Sequence, residues 1–513
     1  MALTRQWRQT RRQNASLAHQ RLLIDCKTTI PPPPPASGPK RSAVHRSEAP
    51  RQLLENLSIV RVLRGIRVED MMQNGGGIRK FVEADLQTKS RNLIGPGALT
   101  VIAATFTLSG PAANASGYTL KTLYSFCVQN GCPDGENPLA GVVKDKSGTL
   151  YSTSYFGGKF GGGTVFSLTP KAGGYKFRTI YSFCKQAGCP DGSSPLGTLI
   201  EDVNGNLYGT TTKANNADIG TIFRLSPTDK GWKYKVLYTF CAQPNCADGG
   251  QDENGLSYKG QASGKAWDGK APLFGTTNIG GAHGNGAIFE LTPNGSQWDY
   301  TVIHDIQTGS SPNPVLVDQS GNLFITSELG GANGGGNFYT LANGTWKEGT
   351  IHNFCGDGNC SDGQDPAGTL ALDAQGNVYG VTLHGGIDSN GVVFEHPASG
   401  GFAVVYDFCG DGSCGVLPEK LSYGNVSGDL FGVAEEGGAN NKGVVFRLAF
   451  KNGIWSERVI EDFCADGNCT SGAHPSAPIL EDESGNLFSV TSAGGNLACD
   501  SGQGCGTVFE LKK

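Results

Sequence analysis

Residues Thr122–Cys132 read TLYSFCVQNGC, and copies of this stretch return along the chain at a first spacing of 57 residues. The further copies begin at Thr179, Val236, Thr350, Val404 and Val459. Self-similarity at such a period is typical of solenoids, propellers and other repeat architectures. Because each of these six copies also carries a C-x4-C pair, the repeat indicates an oxidising compartment as well as an architecture.

A second set of motifs fills the rest of each unit. In the first unit these are a hairpin signature, DKSGTLYST from Asp145, a glycine-rich loop, FGGKFGGG from Phe156, and a closing strand, TVFSL from Thr164. The closing strand recurs seven times, around Phe166, Phe223, Phe289, Phe338, Phe394, Phe446 and Phe509. The sequence therefore contains seven units.

Each unit is predicted to form four short strands, which in the first unit span residues 139–144, 149–153, 164–168 and 177–183. Alternating or β-branched apolar runs bounded by Gly, Asn, Asp and Pro indicate strands, and D-x-x-G-N is a strong turn signal. No sustained helical period is present. The predicted fold is therefore all-β, a seven-bladed β-propeller of four-stranded blades. A solenoid is the alternative, but four strands per unit of this length favour a blade.

The two ends of the repeat region are incomplete in complementary ways. A lone strand, Tyr118–Phe126, precedes the first complete unit, and the region ends on Gly506–Leu511 without a fourth strand. A circular fold accounts for both, because the first strand can complete the last blade. We expect the N-terminal strand to pair with the C-terminal blade and to close the ring.

Residues 92–115 carry no charge and follow Lys89 and Arg91, and Ala113–Ala115 supplies a small-x-small cleavage site. This pattern indicates a secretory signal peptide. A transmembrane anchor is the alternative, but glycines and prolines leave the apolar run too short and broken. The expected organisation is a leader at 1–91, a signal peptide at 92–115 and a propeller domain at 116–513.

The leader has a different charge from the rest of the chain. Residues 1–91 hold 17 Lys+Arg against 7 Asp+Glu, so with −5 overall the remainder carries about −15. We interpret the leader as disordered or as lying upstream of the true start, with Met71 and Met72 the nearest internal candidates. The exported domain is acidic, which argues against a nucleic-acid partner. We expect a secreted monomer, periplasmic or extracellular, without a membrane span in its mature form.

Fourteen of the fifteen cysteines lie in the repeat region and form seven local pairs. These are Cys127/Cys132, Cys184/Cys189, Cys241/Cys246, Cys355/Cys360, Cys409/Cys414, Cys464/Cys469 and Cys499/Cys505. Local, even pairing in an exported protein predicts disulfides. Zinc is the alternative, but a C-x4-C pair alone supplies two ligands, and the sequence indicates no partnering His or Cys nearby. We therefore expect no metal and no cofactor.

In a propeller, the loops that carry the cysteine pairs and the glycine-rich loops emerge on one face. The cysteine loops add Asp134, Asp191, Asp248 and Asp362, each followed by Gly. These carboxylates are candidates for binding a cation or sugar hydroxyls, although Asp-Gly is also ordinary turn chemistry. The D-x-x-G-N turns lack the distal Glu of a calcium loop.

Three further residues break the repeat symmetry on the same face. His384, Glu435 and Glu436 lie in neighbouring glycine loops, and histidine with carboxylates is sufficient for acid–base chemistry. Solvated loop residues are the more ordinary interpretation, and we assign no catalytic residue. The tryptophans that precede outer strands are expected to pack rather than to stack on sugars: Trp232, Trp298, Trp346 and Trp455.

The combination of D-x-x-G-N-L-Y-G-x-T, a GG loop, G-T-V-F-x-L and L-Y-x-F resembles the GloVer tandem repeat of bacterial "choice-of-anchor" proteins. The resemblance covers about Tyr118–Leu511 and implies an exported bacterial protein with a propeller-like fold. Together these observations predict a non-enzymatic binding or scaffolding module for a glycan or for a cell-envelope or extracellular protein. The alternative is an extracellular enzyme that acts on polysaccharide through an acidic site on the propeller face.

Overall fold

The computed structural model describes residues 117–307, 309–410, 415–497, 499 and 502–513. All described residues belong to one compact unit, Pro111–Lys513. The predicted leader and signal peptide lie outside the described residues. Within the described part of the chain, no helix has the length and apolar character needed to cross a membrane.

The described residues form thirty strands and no α-helix. The first fifteen strands are β1 (Thr119–Ser125), β2 (Val143–Lys144), β3 (Leu150–Ser154), β4 (Thr164–Lys171), β5 (Gly174–Ser182), β6 (Ile200–Glu201), β7 (Leu207–Thr211), β8 (Thr221–Thr228), β9 (Gly231–Thr239), β10 (Ser257–Tyr258), β11 (Leu273–Thr276), β12 (Ala287–Asn294), β13 (Gln297–Asp305), β14 (Ser310–Pro312) and β15 (Leu316–Val317). The remaining strands are β16 (Leu323–Leu329), β17 (Asn337–Ala342), β18 (Lys347–Asn353), β19 (Gln364–Leu372), β20 (Val378–His384), β21 (Val392–His396), β22 (Ala403–Asp407), β23 (Gly415–Tyr423), β24 (Leu430–Gly437), β25 (Val444–Lys451), β26 (Ile454–Asp462), β27 (Ala473–Pro475), β28 (Leu480–Glu481), β29 (Leu487–Ala493) and β30 (Thr507–Lys512).

These strands build seven antiparallel sheets, which we call blades 1 to 7 in chain order. Blades 1, 2 and 3 consist of β2–β5, β6–β9 and β10–β13, and blades 5 and 6 consist of β19–β22 and β23–β26. In blade 4 the short β14 and β15 both pair with β16, and in blade 7 β27 and β28 both pair with β29. The predicted seven-bladed β-propeller of four-stranded blades is confirmed.

The turn between the first two strands of a blade is fixed by its aspartate. Asp145 Oδ1 accepts hydrogen bonds from the backbone N–H groups of Ser147 and Thr149 at 2.8 and 2.9 Å, and Gly148 has a φ of +82°. Asparagine and aspartate stabilise turns in this way, and glycine adopts positive φ without steric cost. The D-x-x-G signature is thus a turn motif, as the sequence predicts.

The hydrophobic core lies between adjacent blades and is divided into seven clusters. In one of them Val165 and Tyr181 of blade 1 pack with Leu207 and Phe223 of blade 2. In another, Phe166 of blade 1 packs with residues of the last blade, Phe488, Val490 and Val508. Complete burial of such a side chain contributes about 1.5–3 kcal/mol. The last blade therefore contacts the first through a core of the same kind as the other interfaces.

The N-terminal strand pairs with the C-terminal blade. Strand β1 runs antiparallel to β30, with Thr119 opposite Lys512 and Ser125 opposite Thr507. It is the outermost strand of blade 7, whose order is β1-β30-β29-β27. The predicted pairing is present, and we predict that β1 also holds the ring together.

The innermost strand of blade 1 is shorter than predicted. In blade 1 the strand covers Val143–Lys144 rather than residues 139–144. The residues before this strand form hydrogen bonds to other blades. The Asn137 N–H donates to the Cys505 carbonyl of blade 7 at 2.9 Å, and the Gly141 N–H donates to Thr198 Oγ1 of blade 2 at 3.0 Å. These backbone groups connect blades around the centre instead of extending a ladder.

Candidate functional site

The loops that precede each blade and the loops between its second and third strands meet on one face, which we call the loop face. In blade 1, Glu136 of the first loop pairs with Phe156 of the second, and the Gly158 N–H donates to the Cys132 carbonyl at 2.8 Å. The aspartate turns and the hairpins between third and fourth strands form the opposite face. The predicted grouping of cysteine loops with glycine loops is confirmed.

Disulfide bonds close the cysteine loops. Six bonds join described residues: Cys127–Cys132, Cys184–Cys189, Cys241–Cys246, Cys355–Cys360, Cys464–Cys469 and Cys499–Cys505. Cys409 is also disulfide-bonded, and its predicted partner Cys414 lies outside the described residues. Disulfides of this number indicate an oxidising environment.

The glycine loops press directly against the cysteine loops. A Cβ atom on Gly162 would lie 2.7 Å from Cys184 Cβ and 2.9 Å from the Phe183 carbonyl oxygen. Real Cβ atoms do not approach backbone so closely, so this position requires glycine. The approach packs the backbone of the two loops together and restricts both.

The four aspartates predicted as candidates for binding a cation or sugar hydroxyls are hydrogen-bonded inside the cysteine loops. Asp191 Oδ2 accepts the Tyr181 hydroxyl at 2.8 Å and the Lys185 N–H at 3.2 Å. The same pattern holds for Asp134 with Tyr124, for Asp248 with Tyr238, and for Asp362 with His352. Asp134 and Asp248 are buried. The structure therefore places these carboxylates in the loop framework rather than in an exposed ring.

Each of these donor side chains stacks on an aromatic ring of the next blade. The ring centroids of Tyr181 and Tyr234 lie 4.1 Å apart, with an interplanar angle of 12°. The equivalent pairs are Tyr124–Phe177, Tyr238–Tyr300 and His352–Phe402, with centroids 4.0, 3.9 and 3.6 Å apart. We call the aspartate, its donor and the stacked ring an aspartate latch. Each latch ties a cysteine loop to the interface between two blades.

Burial keeps the latch tyrosines protonated. Desolvation, reinforced by the hydrogen bond to Asp191, raises the pKa of Tyr181 well above its usual value. Desolvation and the bond to Asp248 act in the same direction on the pKa of Tyr238. Because a phenol must keep its proton to donate to a carboxylate, these hydroxyls remain donors throughout the physiological pH range.

Other aspartates stand between paired cysteines and are exposed. Asp357 accepts the N–H groups of Asn359 and Ser361 at 3.0 and 3.2 Å and also the Ser361 hydroxyl. The hydroxyl bond in particular lowers the pKa of Asp357 below its usual value. Asp466 makes the same contacts with Asn468 and Thr470. These carboxylates stabilise the turn within the disulfide loop.

His384 has a carboxylate partner that the sequence did not indicate. Its Nδ1 atom lies 3.0 Å from Oδ2 of Asp365, on the neighbouring strand of the same blade, and the imidazole is about half exposed. Glu435 and Glu436 lie in β24 of blade 6. Glu435 is buried, and its backbone carbonyl accepts a bond from His474 Nδ1 at 2.9 Å.

Asp252 is a buried titratable residue that the sequence analysis missed. Its Oδ1 atom accepts the N–H groups of Asn254 and Gly255 at 2.9 and 2.8 Å, and its Oδ2 atom has no hydrogen bond of normal geometry to the described residues. Burial raises the pKa of Asp252 to about 8. The signal was available, because the equivalent position in the other six units is proline: Pro138, Pro195, Pro312, Pro366, Pro418 and Pro475.

Apolar side chains project from the tips of the loop face. Ile387 is 80% exposed, Val128 62%, Leu497 43%, Phe160 41% and Leu329 38%. Val128 belongs to the first cysteine loop. The other four lie in or beside glycine loops: Phe160 in blade 1, Leu329 in blade 4, Ile387 in blade 5 and Leu497 in blade 7. Apolar side chains are also exposed on the opposite face, at Val203, Val426, Phe450 and Ile454, so the loop face is distinguished by the restricted backbone that carries its apolar tips.

Comparison with solved structures finds matches of low sequence identity that cover more than half of this chain. The soluble aldose sugar dehydrogenase of Escherichia coli is 12% identical, with 77% of this chain and 99% of that chain covered and a TM-score of 0.38. A gluconolactonase of Xanthomonas campestris is 13% identical, with 57% and 82% covered and a TM-score of 0.32. We draw no conclusion on activity from these similarities. Comparison with curated proteins finds no match.

Comparison with protein families gives a specific result. The Gloeobacter/Verrucomicrobia repeat matches twice, over residues 112–271 and 259–495. The two matches together cover most of the chain and most of the repeat region. They confirm the resemblance that the repeat motifs indicated. The chain belongs to the Gloeobacter/Verrucomicrobia repeat family.

Proposed function

We propose that this protein is an exported, non-enzymatic binding module that holds an extracellular or cell-envelope protein on its loop face. Export is supported by the disulfide bonds, which form and persist in oxidising compartments. The predicted signal peptide at residues 92–115 agrees with that location.

The observation that carries the proposal is the combination of a rigid loop backbone with exposed apolar tips. Disulfides, aspartate latches and close glycine contacts restrict the loops, whereas Val128, Phe160 and Ile387 remain exposed at their ends. A rigid surface loses little conformational entropy when it binds, so such contacts are more effective there than on flexible loops. The arrangement suits recognition of a preformed partner surface.

A protein partner fits this face better than a glycan does. Sugars are commonly held by exposed aromatic rings, but the rings nearest the cysteine loops stack on each other, as Tyr181 does on Tyr234. The tryptophans also pack against the inter-blade clusters, including Trp232 and Trp298. The tips that remain exposed are mainly aliphatic, and aliphatic side chains contribute to protein interfaces through desolvation.

One observation favours the alternative, an enzyme that acts on polysaccharide. Asp252 is a buried carboxyl whose raised pKa would let it carry a proton near neutral pH, and Glu253 lies beside it in the sequence. Perturbed acids are enriched at catalytic sites but also occur in structural networks. Because Asp252 already accepts two backbone N–H bonds, we favour the structural role and retain the binding function.

The test is affinity capture by the full chain from envelope and secreted fractions of the source bacterium. The loop-face variant carries Phe160→Asp and Ile387→Asp, and the matched control carries Val203→Asp and Ile454→Asp on the opposite face, where the native residues are also exposed. We expect wild type and the control to capture the same protein and the loop-face variant to lose it.

Three results would contradict the proposal. Equal capture by the loop-face variant would show that the loop face does not bind the partner. Binding to a glycan array, with no protein captured, would show that the partner is a glycan rather than a protein. Turnover of a bound polysaccharide, abolished by Asp252→Asn, would establish the enzyme instead.

A further inference from the structure

Four cysteines from two distant loops converge at the seam between the first strand and the last blade. Cys127 and Cys132 form the first cysteine loop, and Cys499 and Cys505 belong to the loop between β29 and β30. Cys132 Sγ lies 3.6 Å from Cys499 Sγ, and all four sulfur atoms lie within 4.8 Å of one another. The sequence argument against zinc, that no further cysteine stands near a C-x4-C pair, is therefore wrong for this pair.

We propose that these four cysteines together form a tetrathiolate zinc site when the chain is reduced. A tetrahedral zinc–thiolate site with Zn–S bonds of about 2.3 Å has sulfur–sulfur edges of about 3.8 Å. The 3.6 Å contact between the two loops already has about this length. Once the S–S bonds are broken, the two sulfur atoms of each pair must separate to the same edge length, and all four start within 4.8 Å of one another. Four thiolates from two short loops match the ligand set of structural zinc sites.

The surroundings fix the two loops mainly through backbone and amide groups, and Cys127 Sγ also lies 3.6 Å from the carbonyl oxygen of Gln129. The Cys505 N–H donates to the Asn496 carbonyl at 3.0 Å, and the Gly158 N–H donates to the Cys132 carbonyl at 2.8 Å. The Asn496 side-chain amide donates to the Cys127 carbonyl. The cysteines are nearly inaccessible, with exposures of 6% for Cys127, 9% for Cys132, 7% for Cys499 and 0% for Cys505. A closed, buried sulfur cage is characteristic of structural rather than catalytic zinc.

The other cysteine loops do not offer this arrangement. In the described part of the chain, this is the one group of three or more metal-ligating side chains in which the ligand atoms converge. The reason is topological, because only the last glycine loop carries cysteines and β1 brings the first cysteine loop beside it. The remaining pairs therefore serve as internal controls.

The disulfide state and the zinc state use the same sulfur atoms and exclude each other. Two equivalents of a dithiol reductant break the two S–S bonds, transfer four electrons and four protons, and become two intramolecular disulfides. Zn²⁺ then displaces the four thiol protons to solvent, because thiolate is the form that binds the metal. The zinc state would hold the seam together in the reduced chain. Two equivalents of an external disulfide that accept four electrons and four protons, and so become dithiols, would re-form the two S–S bonds and release Zn²⁺.

The test uses the full chain, reduced anaerobically with a dithiol, freed of reductant by gel filtration and mixed with Zn²⁺ alone. We expect one tightly bound zinc ion per chain by elemental analysis, and a tetrahedral tetrathiolate spectrum when Co²⁺ replaces zinc. The Cys499→Ser/Cys505→Ser variant should lose the ion at zinc concentrations that saturate wild type. The matched Cys184→Ser/Cys189→Ser variant should keep it.

X-ray absorption of the wild-type zinc complex makes the result independent of how the variants fold. Four sulfur neighbours would support the site, whereas two sulfur and two oxygen or nitrogen neighbours would overturn it. Absence of bound zinc in the reduced wild-type chain, or retention of zinc by the Cys499→Ser/Cys505→Ser variant, would overturn it equally.

Discussion

Replacing the buried Asp252 with asparagine should change how the stability of the propeller depends on pH. Asparagine has nearly the same shape, and its carbonyl oxygen can accept the two N–H bonds that Oδ1 receives from Asn254 and Gly255. The substitution therefore removes the titrating group while it preserves the loop. Any change in pH dependence can then be assigned to the carboxyl group.

The size and sign of the effect follow from the raised pKa. The carboxyl has a pKa of about 8 in the folded protein against 3.8 as the reference value, a difference of about 4 units at about 1.4 kcal/mol each. Between these values the folded state keeps a proton that the unfolded state has lost, so the free energy of unfolding falls as pH rises. The contribution is complete below pH ~4 and is lost as pH rises through ~8, and it amounts to about 6 kcal/mol in all.

The assay is urea-induced unfolding, followed by tryptophan fluorescence, from pH 4 to pH 8. We expect wild type and Asp252→Asn to unfold at similar urea concentrations at pH 4, and the variant to be increasingly more resistant toward pH 8. Asp268→Asn is the matched control, because Asp268 is exposed and backbone hydrogen bonds lower its pKa. If the unfolding midpoint of Asp252→Asn changes with pH in the same way as that of wild type, the Asp252 carboxyl does not cause the pH dependence and the reasoning is refuted.

Three further predictions concern the loops and the seam. Tyr181→Phe removes the hydroxyl that donates to Asp191 and should lower the free energy of unfolding by about 1.5–3 kcal/mol in chemical denaturation; an unchanged midpoint would show that the latch contributes nothing. Cys184→Ser with Cys189→Ser opens a six-residue loop and should cost only about 2 kcal/mol, with faster amide exchange confined to that loop; global unfolding would contradict a local role. Deletion of residues 117–126, which include β1, should lower the melting temperature and expose the C-terminal strand to proteolysis, and unchanged melting would refute the closing role of β1.

Much of the fold follows from local signals that repeat. The aspartate of each D-x-x-G turn bonds to backbone two and four residues later, so the turn is encoded within five residues. The seven blades, the two faces and the cysteine pairs follow from the same periodicity. The shortness of the innermost strand of blade 1 could not be predicted in this way, because Asn137 bonds to a different blade and that pairing has no local signature.

The candidate site was harder to predict because its contacts join residues from different units. The bond from Tyr181 to Asp191 spans ten residues, and the ring that stacks on Tyr181 belongs to the next blade. A tyrosine or histidine stands ten residues before each of the four latch aspartates, Asp134, Asp191, Asp248 and Asp362, and this recurrence would have revealed the first contact. The convergence of Cys132 and Cys499 needed two predictions to be combined, ring closure by β1 and the location of the last cysteine pair.

The most direct test of the binding function is amide hydrogen exchange of the full chain with and without its captured protein partner. The account predicts that the partner slows exchange in the loop-face segments that bear Val128, Phe160, Ile387 and Leu497. It predicts no change in the hairpin around Phe450 and Ile454 on the opposite face, whose apolar side chains are equally exposed. Protection confined to that hairpin, or spread evenly over both faces, would contradict the claim that the loop face is the binding surface.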